Sequence, residues 1–175
     1  QAIPEKRTHL LDATLGGDNL FKLRAFTGDS QPLHGWLVDA VKYRADGFKQ
    51  LDNGGESGFD KNDLLVKMRF NNDLSSVRYQ QWDLKFGYGD EVSYETYLGL
   101  SDDDFAATPY RRYAASQKDV MQWDHQQMDL THYVDFGNDF QLTTQLYHHQ
   151  FYRSWRKFDG FGDGSPSIRT LLSDP

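Results

Sequence analysis

The chain has 175 residues, 38% hydrophobic and 26% charged, and its net charge of −7 argues against a nucleic-acid partner. Its longest apolar runs are three residues long, whereas a membrane-spanning helix needs about 20. The mean hydropathy of −0.76 still allows membrane-spanning β-strands, because one side of each strand in a barrel faces water.

Seven β-strands are predicted, because apolar and polar residues alternate in runs separated by turn-forming segments. In chain order they are His9–Leu15, Leu20–Thr27, Leu33–Arg44, Lys61–Phe70, Val77–Tyr88, Met121–Phe136 and Phe140–Trp155. The two long connections, Asp46–Asp60 and Gly89–Asp119, fall at the same end of an antiparallel sheet. Beyond the last strand, a turn is predicted at Asp159–Gly164 and a short amphipathic stretch at Ile168–Leu172.

The alternation separates an apolar set of side chains from a polar set. We expect the apolar set to face outward to lipid: Leu64, Val66, Met68, Phe70, Leu84, Phe86, Met128, Leu130, Leu142 and Leu146. We expect the polar set to line the interior: Lys67, Arg69, Asp83, Lys85, Asp129, Thr131, Gln141 and Gln145. A sheet that is apolar on one face and polar on the other is typical of a transmembrane β-barrel.

Aromatic residues lie near the ends of the predicted strands, as they do in the interfacial girdles of outer-membrane barrels. They are Phe70, Phe86, Tyr88, Trp123, Phe136, Phe140, Trp155 and Phe158. The alternative is the general preference of β-sheets for aromatic residues. The last predicted strand would be about 50 Å long at about 3.3 Å per residue, so it would project well beyond an apolar band of about 25 Å.

Several segments resemble TonB-dependent outer-membrane receptors of the ferric-citrate type. They are QAIP at 1–4, DGFKQLD at 46–52, GFDKND at 58–63, ETYLGLSDDDF at 95–105 and PYRRYAAS at 109–116. The first resembles the junction between the receptor's plug and its first barrel strand. The next two resemble the second extracellular loop and fourth strand, and the last two resemble the third extracellular loop.

The resemblance implies that residues 1–175 are part of a receptor β-barrel domain, with 1–7 the end of the plug or linker and 8–175 barrel strands and extracellular loops. Family barrels have about 22 strands. The chain would therefore supply about seven strands of an antiparallel transmembrane barrel wall, with long extracellular loops. The implied setting is the bacterial outer membrane. The implied function is TonB-dependent uptake of an iron chelate, either a ferric siderophore or ferric citrate, with TonB bound through the plug of the intact protein.

The segment from Tyr110 to Tyr113 is the candidate ligand site. Arg111 and Arg112 lie between these two tyrosines in a predicted extracellular loop. Guanidinium groups bind carboxylates in a bidentate manner, so an anionic ferric chelate is a suitable ligand. The alternative is that these arginines form ion pairs with the acidic run at 102–104 and order the loop.

No catalytic motif is found, so we do not expect an enzyme, and we expect no cofactor apart from the transported chelate. His148 and His149 are adjacent in a predicted strand and so face opposite sides, which disfavours a metal site. Two rival functions remain: a soluble ligand-binding barrel of the lipocalin type and a surface adhesion module. The lipocalin type requires one register of side chains to form a dry interior.

Overall fold

Nine β-strands follow one another in the computed structural model, which describes residues 1–162, 166–168 and 170. They are β1 Thr8–Leu15, β2 Phe21–Gln31, β3 His34–Ala45, β4 Gln50–Leu51, β5 Phe59–Asn71, β6 Tyr79–Ser93, β7 Arg111–Arg112, β8 Val120–Asp135 and β9 Gln141–Arg156. Seven of them form one sheet in the order β1-β2-β3-β5-β6-β8-β9. The short strands β4 and β7 pair with each other in parallel.

Neighbouring strands of the large sheet are all antiparallel, and each pairs with the long strands before and after it in the chain. The predicted all-β antiparallel architecture is therefore confirmed. The sheet is open, with β1 and β9 as its edges, and it does not close into a barrel within the described residues. The predicted amphipathic stretch at Ile168–Leu172 and the end of the turn predicted at Asp159–Gly164 fall largely outside the described residues.

Strand β6 is longer than predicted. The prediction ended it at Tyr88 and began the long connection at Gly89. In the structure β6 continues to Ser93, and Gly89 pairs with Asp63 and His125. A side chain at this position would come within 3.2 Å of the Trp123 ring. The glycine therefore makes room for a neighbouring ring and does not turn the chain.

The connections alternate between two ends of the sheet. One end, called the loop end here, carries the turn at 16–20 and the long connections 46–58 and 94–119. The other, the turn end, carries the short connections 32–33, 72–78 and 136–140. Asp18, Asn19, Asn138 and Asp139 have left-handed backbone conformations. These four residues lie in or beside the predicted turns at 16–19 and 137–139, where short polar side chains tolerate positive φ.

The long connection 94–119 contains local structure that the sequence did not predict. Helix α1, Asp102–Ala107, begins after Ser101, whose hydroxyl accepts a hydrogen bond from the Asp104 amide at 3.2 Å. A 3₁₀ turn follows at Ala114–Lys118. Neither of these nor any other helix in the described part of the chain has the length and apolar character needed to cross a bilayer.

Candidate functional site

Cross-strand pairing collects apolar side chains from four neighbouring strands on one face of the sheet. Directly paired residues share a face, and Leu84 lies opposite Met68 on one side and Leu130 on the other. The whole predicted apolar set lies on this face: Leu64, Val66, Met68, Phe70, Leu84, Phe86, Met128, Leu130, Leu142 and Leu146. No layer of protein covers these residues in the described chain, and Leu84 is 41% and Leu146 64% exposed.

This apolar surface has a limited height. On β5 and β6 it begins toward the turn end at the row of Phe70 and Trp82 and ends toward the loop end at the row of Leu64 and Tyr88. On β8 and β9 it reaches one row further toward the turn end, to Val134 and Leu142. We call this part the apolar band; six residues separate its limits on β5, or about 20 Å. Beyond it toward the loop end the same face is mostly polar, and the next row holds Lys42, Asn62, Asp90 and Asp124 between Leu23 on β2 and Tyr152 on β9.

The opposite face carries polar and charged side chains at the height of the apolar band. All residues predicted to line the interior lie on it: Lys67, Arg69, Asp83, Lys85, Asp129, Thr131, Gln141 and Gln145. Lys85 Nζ lies 3.5 Å from Asp129 Oδ2, and Arg69 donates to Ser30 Oγ at 2.8 Å. Most of this set borders a groove of about 710 Å³. Gln141 lies apart at the turn end, where it donates to Asp135 at 3.3 Å.

The first residues of the chain lie on this polar face and border the groove. Lys67 Nζ donates to the carbonyl oxygen of Gln1 at 2.5 Å. Two glycines let this N-terminal segment lie close to the sheet: an added Cβ at Gly28 would lie 2.8 Å from Pro4, and one at Gly35 would lie 3.1 Å from Ile3. The predicted linker at 1–7 therefore contacts the face that carries the predicted interior residues.

Toward the loop end the polar face becomes aromatic. Trp123 is five residues from Met128, and this odd separation places its ring on the face opposite the apolar band. Trp155 is nine residues from Leu146 on β9, and this odd separation likewise places its ring on the face opposite Leu146. Their predicted place in a lipid-facing girdle is therefore wrong. We call ring surface the cluster around the first of these tryptophans: Trp123, His125, Tyr147, His149 and Phe151.

The candidate ligand segment is held by a bridge between the two long loops. Strand β4 of one loop pairs with β7 of the other, so that Gln50 lies opposite Arg111 and Leu51 opposite Arg112. The Arg111 guanidinium donates to both carboxylate oxygens of Asp52, at 2.7 and 3.2 Å. Direct pairing in the bridge therefore brings an acidic residue of the first loop to an arginine of the second.

Arg111 is enclosed by two carboxylates. Its Nη1 also donates to Asp104 Oδ1 at 2.8 Å, and Tyr113 donates its hydroxyl to the same carboxylate at 2.5 Å. The hydrogen bond from Arg111 holds the pKa of Asp52 below its ordinary value, and the same bond raises the pKa of the arginine. The loop-ordering alternative is thus observed for Arg111. The sequence anticipated a partner in the run 102–104 but not Asp52, which lies in another loop.

Arg112 has a different environment. Its Nη1 donates to the backbone oxygens of Pro109 and Arg111 at 2.9 and 2.5 Å. Burial, and then the positive charge of Arg112, lower the pKa of Lys49, which donates to Thr96 at 2.9 Å. The two adjacent arginines of the bridge therefore differ in their partners. Arg111 donates to carboxylates, whereas Arg112 donates to backbone oxygens and its charge acts on Lys49.

Tyr110, the first residue of the candidate segment, is 58% exposed and packs edge-to-face against Phe48 at 5.8 Å. The described residues contain no group of three or more His, Asp or Glu side chains arranged to hold a metal ion. No protein-family model, curated protein or solved structure matches this chain. The two faces of the sheet and the loop bridge are therefore the features that bear on function.

Proposed function

We propose that the chain forms part of the wall of an outer-membrane β-barrel receptor that imports an iron chelate in a TonB-dependent manner. One observation carries this proposal: an exposed apolar band about 20 Å tall lies on one face, and ion pairs lie directly behind it on the other. This height is comparable with the apolar band of about 25 Å on outer-membrane barrels. Lipid would cover the band, and water would fill the polar side.

A soluble lipocalin-like barrel fits this arrangement less well. Such a barrel needs a dry interior register, yet the apolar register of the described sheet ends toward the loop end at a row that holds Lys42, Asn62, Asp90 and Asp124. The polar face cannot serve as the dry interior, because it holds Lys85 and Asp129. A surface adhesion module would account for the long loops but gives no reason for the apolar band.

The N-terminal segment supports the receptor form of the proposal. In a barrel built from this sheet, Gln1–Pro4 would lie inside the wall, where a plug has to connect to its first strand. The long loops would lie outside the cell, at the loop end. The intact protein would contact TonB through its plug, and the chelate would be the transported ligand.

The candidate contacts for an anionic chelate are Tyr110, Arg111, Arg112 and Tyr113, and their hydrogen bonds and exposure favour two of them. Arg111 would have to release Asp52 and Asp104 before it could bind a carboxylate. Arg112 makes its described hydrogen bonds only to backbone oxygens, and Tyr110 is exposed. We therefore propose the latter two as the first ligand contacts within the loop segment.

The lipid-facing assignment can be tested with the four tryptophans of the chain. Trp36 and Trp82 lie on the face of the apolar band, whereas Trp123 and Trp155 lie on the other face. We expect lipids brominated near the headgroup to quench the fluorescence of the full chain in vesicles. Changing the first pair to Phe should abolish most of this quenching, and changing the second pair should preserve it.

The same experiment can reject the proposal. Equal loss of quenching in the two double variants would show that the faces do not differ in lipid contact. A chain that stays monomeric in buffer without detergent, and is not quenched in vesicles, would favour the lipocalin-like alternative. Cell fractionation provides the matching localisation, which we expect to be the outer membrane.

A further inference from the structure

The face of the apolar band changes in steps from apolar to charged toward the turn end. At every second position, from β6 back into the turn before it, the chain carries Leu84, Trp82, Gln80 and Arg78. Alternate residues share a face, so an aliphatic chain is followed there by an indole, an amide and a guanidinium. The Trp82 ring stacks on His132 at 3.7 Å, and His132 Nε2 lies 3.1 Å from Gln80 Oε1. This order is typical of a membrane interface, where amphipathic rings lie between hydrocarbon and headgroups.

The guanidinium of Arg78 lies over an aromatic ring. Its central carbon is 5.0 Å from the centroid of the Phe136 ring, which packs on Phe140 at 5.3 Å. The Phe136 amide donates to the backbone oxygen of Phe140 at 3.0 Å. These two rings therefore extend the pairing of β8 and β9 by one row on the same face, beyond Val134 and Leu142.

The position of this cation matches the depth of lipid headgroups. One row is two residues, or about 7 Å along a strand. A bilayer about 40–45 Å thick around a hydrocarbon core of about 30 Å has headgroup layers of about 5–8 Å on each side. If lipid covers the apolar band, as proposed, Arg78 lies at the level of the phosphate groups.

The positive charge of Arg78 is not neutralised by a neighbour. No carboxylate in the described part of the chain forms an ion pair with it. Two carboxylates of the turn end have other partners. Asp73 accepts hydrogen bonds from the amide and hydroxyl of Ser75 at 2.8 and 2.7 Å, and Asp135 accepts one from the Gly137 amide at 2.8 Å. Asp135 also belongs to the polar face.

The two ends of the apolar band differ in the charge that an anion would meet. The first row beyond the band at the loop end contains the carboxylates of Asp90 and Asp124. At the turn end the remaining carboxylate is that of Asp139, which lies at the tip of the turn between β8 and β9, past the two phenylalanines. The turn end therefore suits an anionic group better than the loop end does.

We infer that Arg78 binds the phosphate of a phospholipid headgroup at the turn end of the apolar band. This inference rests on the proposed function and names a lipid partner for the apolar face. A guanidinium presents paired N–H donors that match two phosphate oxygens, and the Phe136 ring supports it from below. The acyl chains would lie in the shallow apolar groove of about 420 Å³ that Met68, Leu84 and Leu146 border.

The test measures lipid binding to the full chain in detergent micelles by native mass spectrometry. The probe is dimyristoyl phosphatidylglycerol, and the comparison lipid is dimyristoylglycerol, which has the same acyl chains and no phosphate. Arg78→Gln removes a charged donor, so it should weaken binding of the phospholipid about tenfold and leave binding of dimyristoylglycerol unchanged.

Arg153→Gln is the matched control. Arg153 is also exposed and lies over a ring, 5.7 Å from the centroid of Trp155. It pairs directly with Trp123 of the ring surface and so lies on the opposite face of the sheet. We expect this variant to bind both lipids as the unaltered chain does. A second variant, Phe136→Leu, keeps an apolar side chain but removes the ring below the guanidinium, and it should weaken phospholipid binding less than Arg78→Gln.

The outcomes separate this inference from the proposed function. Equal phospholipid binding by Arg78→Gln, Arg153→Gln and the unaltered chain would overturn the inference, and quenching of Trp36 and Trp82 by brominated lipid would still support the proposed function. Equal losses of both lipids in Arg78→Gln would also overturn it, because the guanidinium would then not recognise the phosphate. If the unaltered chain bound neither lipid and was not quenched in vesicles, both would be wrong.

Discussion

The same long strands present two different surfaces at their two ends. Strand β8, which pairs with β6 along its length, carries Met128, Leu130 and Val134 at even-numbered positions in the half nearer the turn end, and Asp129 and Thr131 at odd-numbered positions there. In the half of β8 nearer the loop end this relation is reversed. There an even-numbered position carries Asp124, and the odd-numbered position beside it carries Trp123. The reversal occurs without a break in the pairing, because the register continues along the full length of both strands.

This reversal shows that a period of two tells which residues share a face of the sheet. It does not show that the whole face meets one environment. A strand that crosses from lipid into water has to change its outer residues at the boundary. If the chain is a receptor wall, as proposed, its inner residues would change as well, because the lumen and the mouth meet different molecules. On that proposal, the position of the reversal marks where the bilayer would end.

The largest expected effect comes from a charge placed within the apolar band. Leu84→Arg should cost about 2–4 kcal/mol of folding free energy in a membrane or micelle, because a charged side chain would face hydrocarbon. Lys85→Leu should cost less, since the neighbouring position lies on the polar side. The measurement is the free energy of unfolding in urea, in vesicles of defined lipid.

Height along the same face provides the control. Asp124 shares the face of Leu84 but lies beyond the loop-end limit of the apolar band. Asp124→Arg should therefore change the free energy of unfolding by less than about 1 kcal/mol, as a depth-dependent lipid cost requires. If this variant were as destabilised as Leu84→Arg, the limit of the band would be misplaced.

Most of the sheet was predictable, because alternation over a dozen residues is a strong signal and hairpin neighbours pair in chain order. The ends of the strands were less predictable. Gly89 carried a turn signal, and only its contact with Trp123 explains its place in β6. That Trp123 lies on the face opposite Met128 could have been predicted, because an odd number of residues separates them. The prediction grouped aromatic residues by their nearness to strand ends and did not use this spacing.

The candidate site was only partly predictable. The composition of residues 102–113 suggested ion pairs within one loop, and Asp104 does contact Arg111. The pairing of Arg111 with Asp52 spans 59 residues of sequence and depends on the β4–β7 bridge. Two-residue strands leave no periodic pattern, so no local signal could have indicated this contact.

The next effect concerns the N-terminal segment on the polar face. Gly28→Ala would place a Cβ 2.8 Å from both the Pro4 ring and the carbonyl oxygen of Trp36. We expect a loss of about 1–3 kcal/mol in the free energy of unfolding, which is typical of overpacking. Trypsin should also cleave faster after Lys6, because the displaced segment would be more accessible. Gly17→Ala has open space around it and should change neither measurement.

The smallest expected effect concerns the ion pair between Asp52 and Arg111 in the loop bridge. The folded-state pKa of Asp52 is lowered by its hydrogen bond from Arg111, so the pair stabilises the bridge fully above the ordinary aspartate pKa of 3.8. That contribution is lost as the pH falls further, through the lowered pKa. The effect on overall stability should be small and sensitive to salt, because both side chains are partly exposed.

NMR titration of the Asp52 carboxyl carbon should yield a pKa below 3.8 in the unaltered chain, and Arg111→Gln should raise it toward that value. Arg112→Gln is the matched control and should leave the titration unchanged, since Arg112 bonds only to backbone oxygens in the described contacts. If the Asp52 pKa responded equally to both changes, the claim that Arg111 alone pairs with Asp52 in the bridge would be wrong.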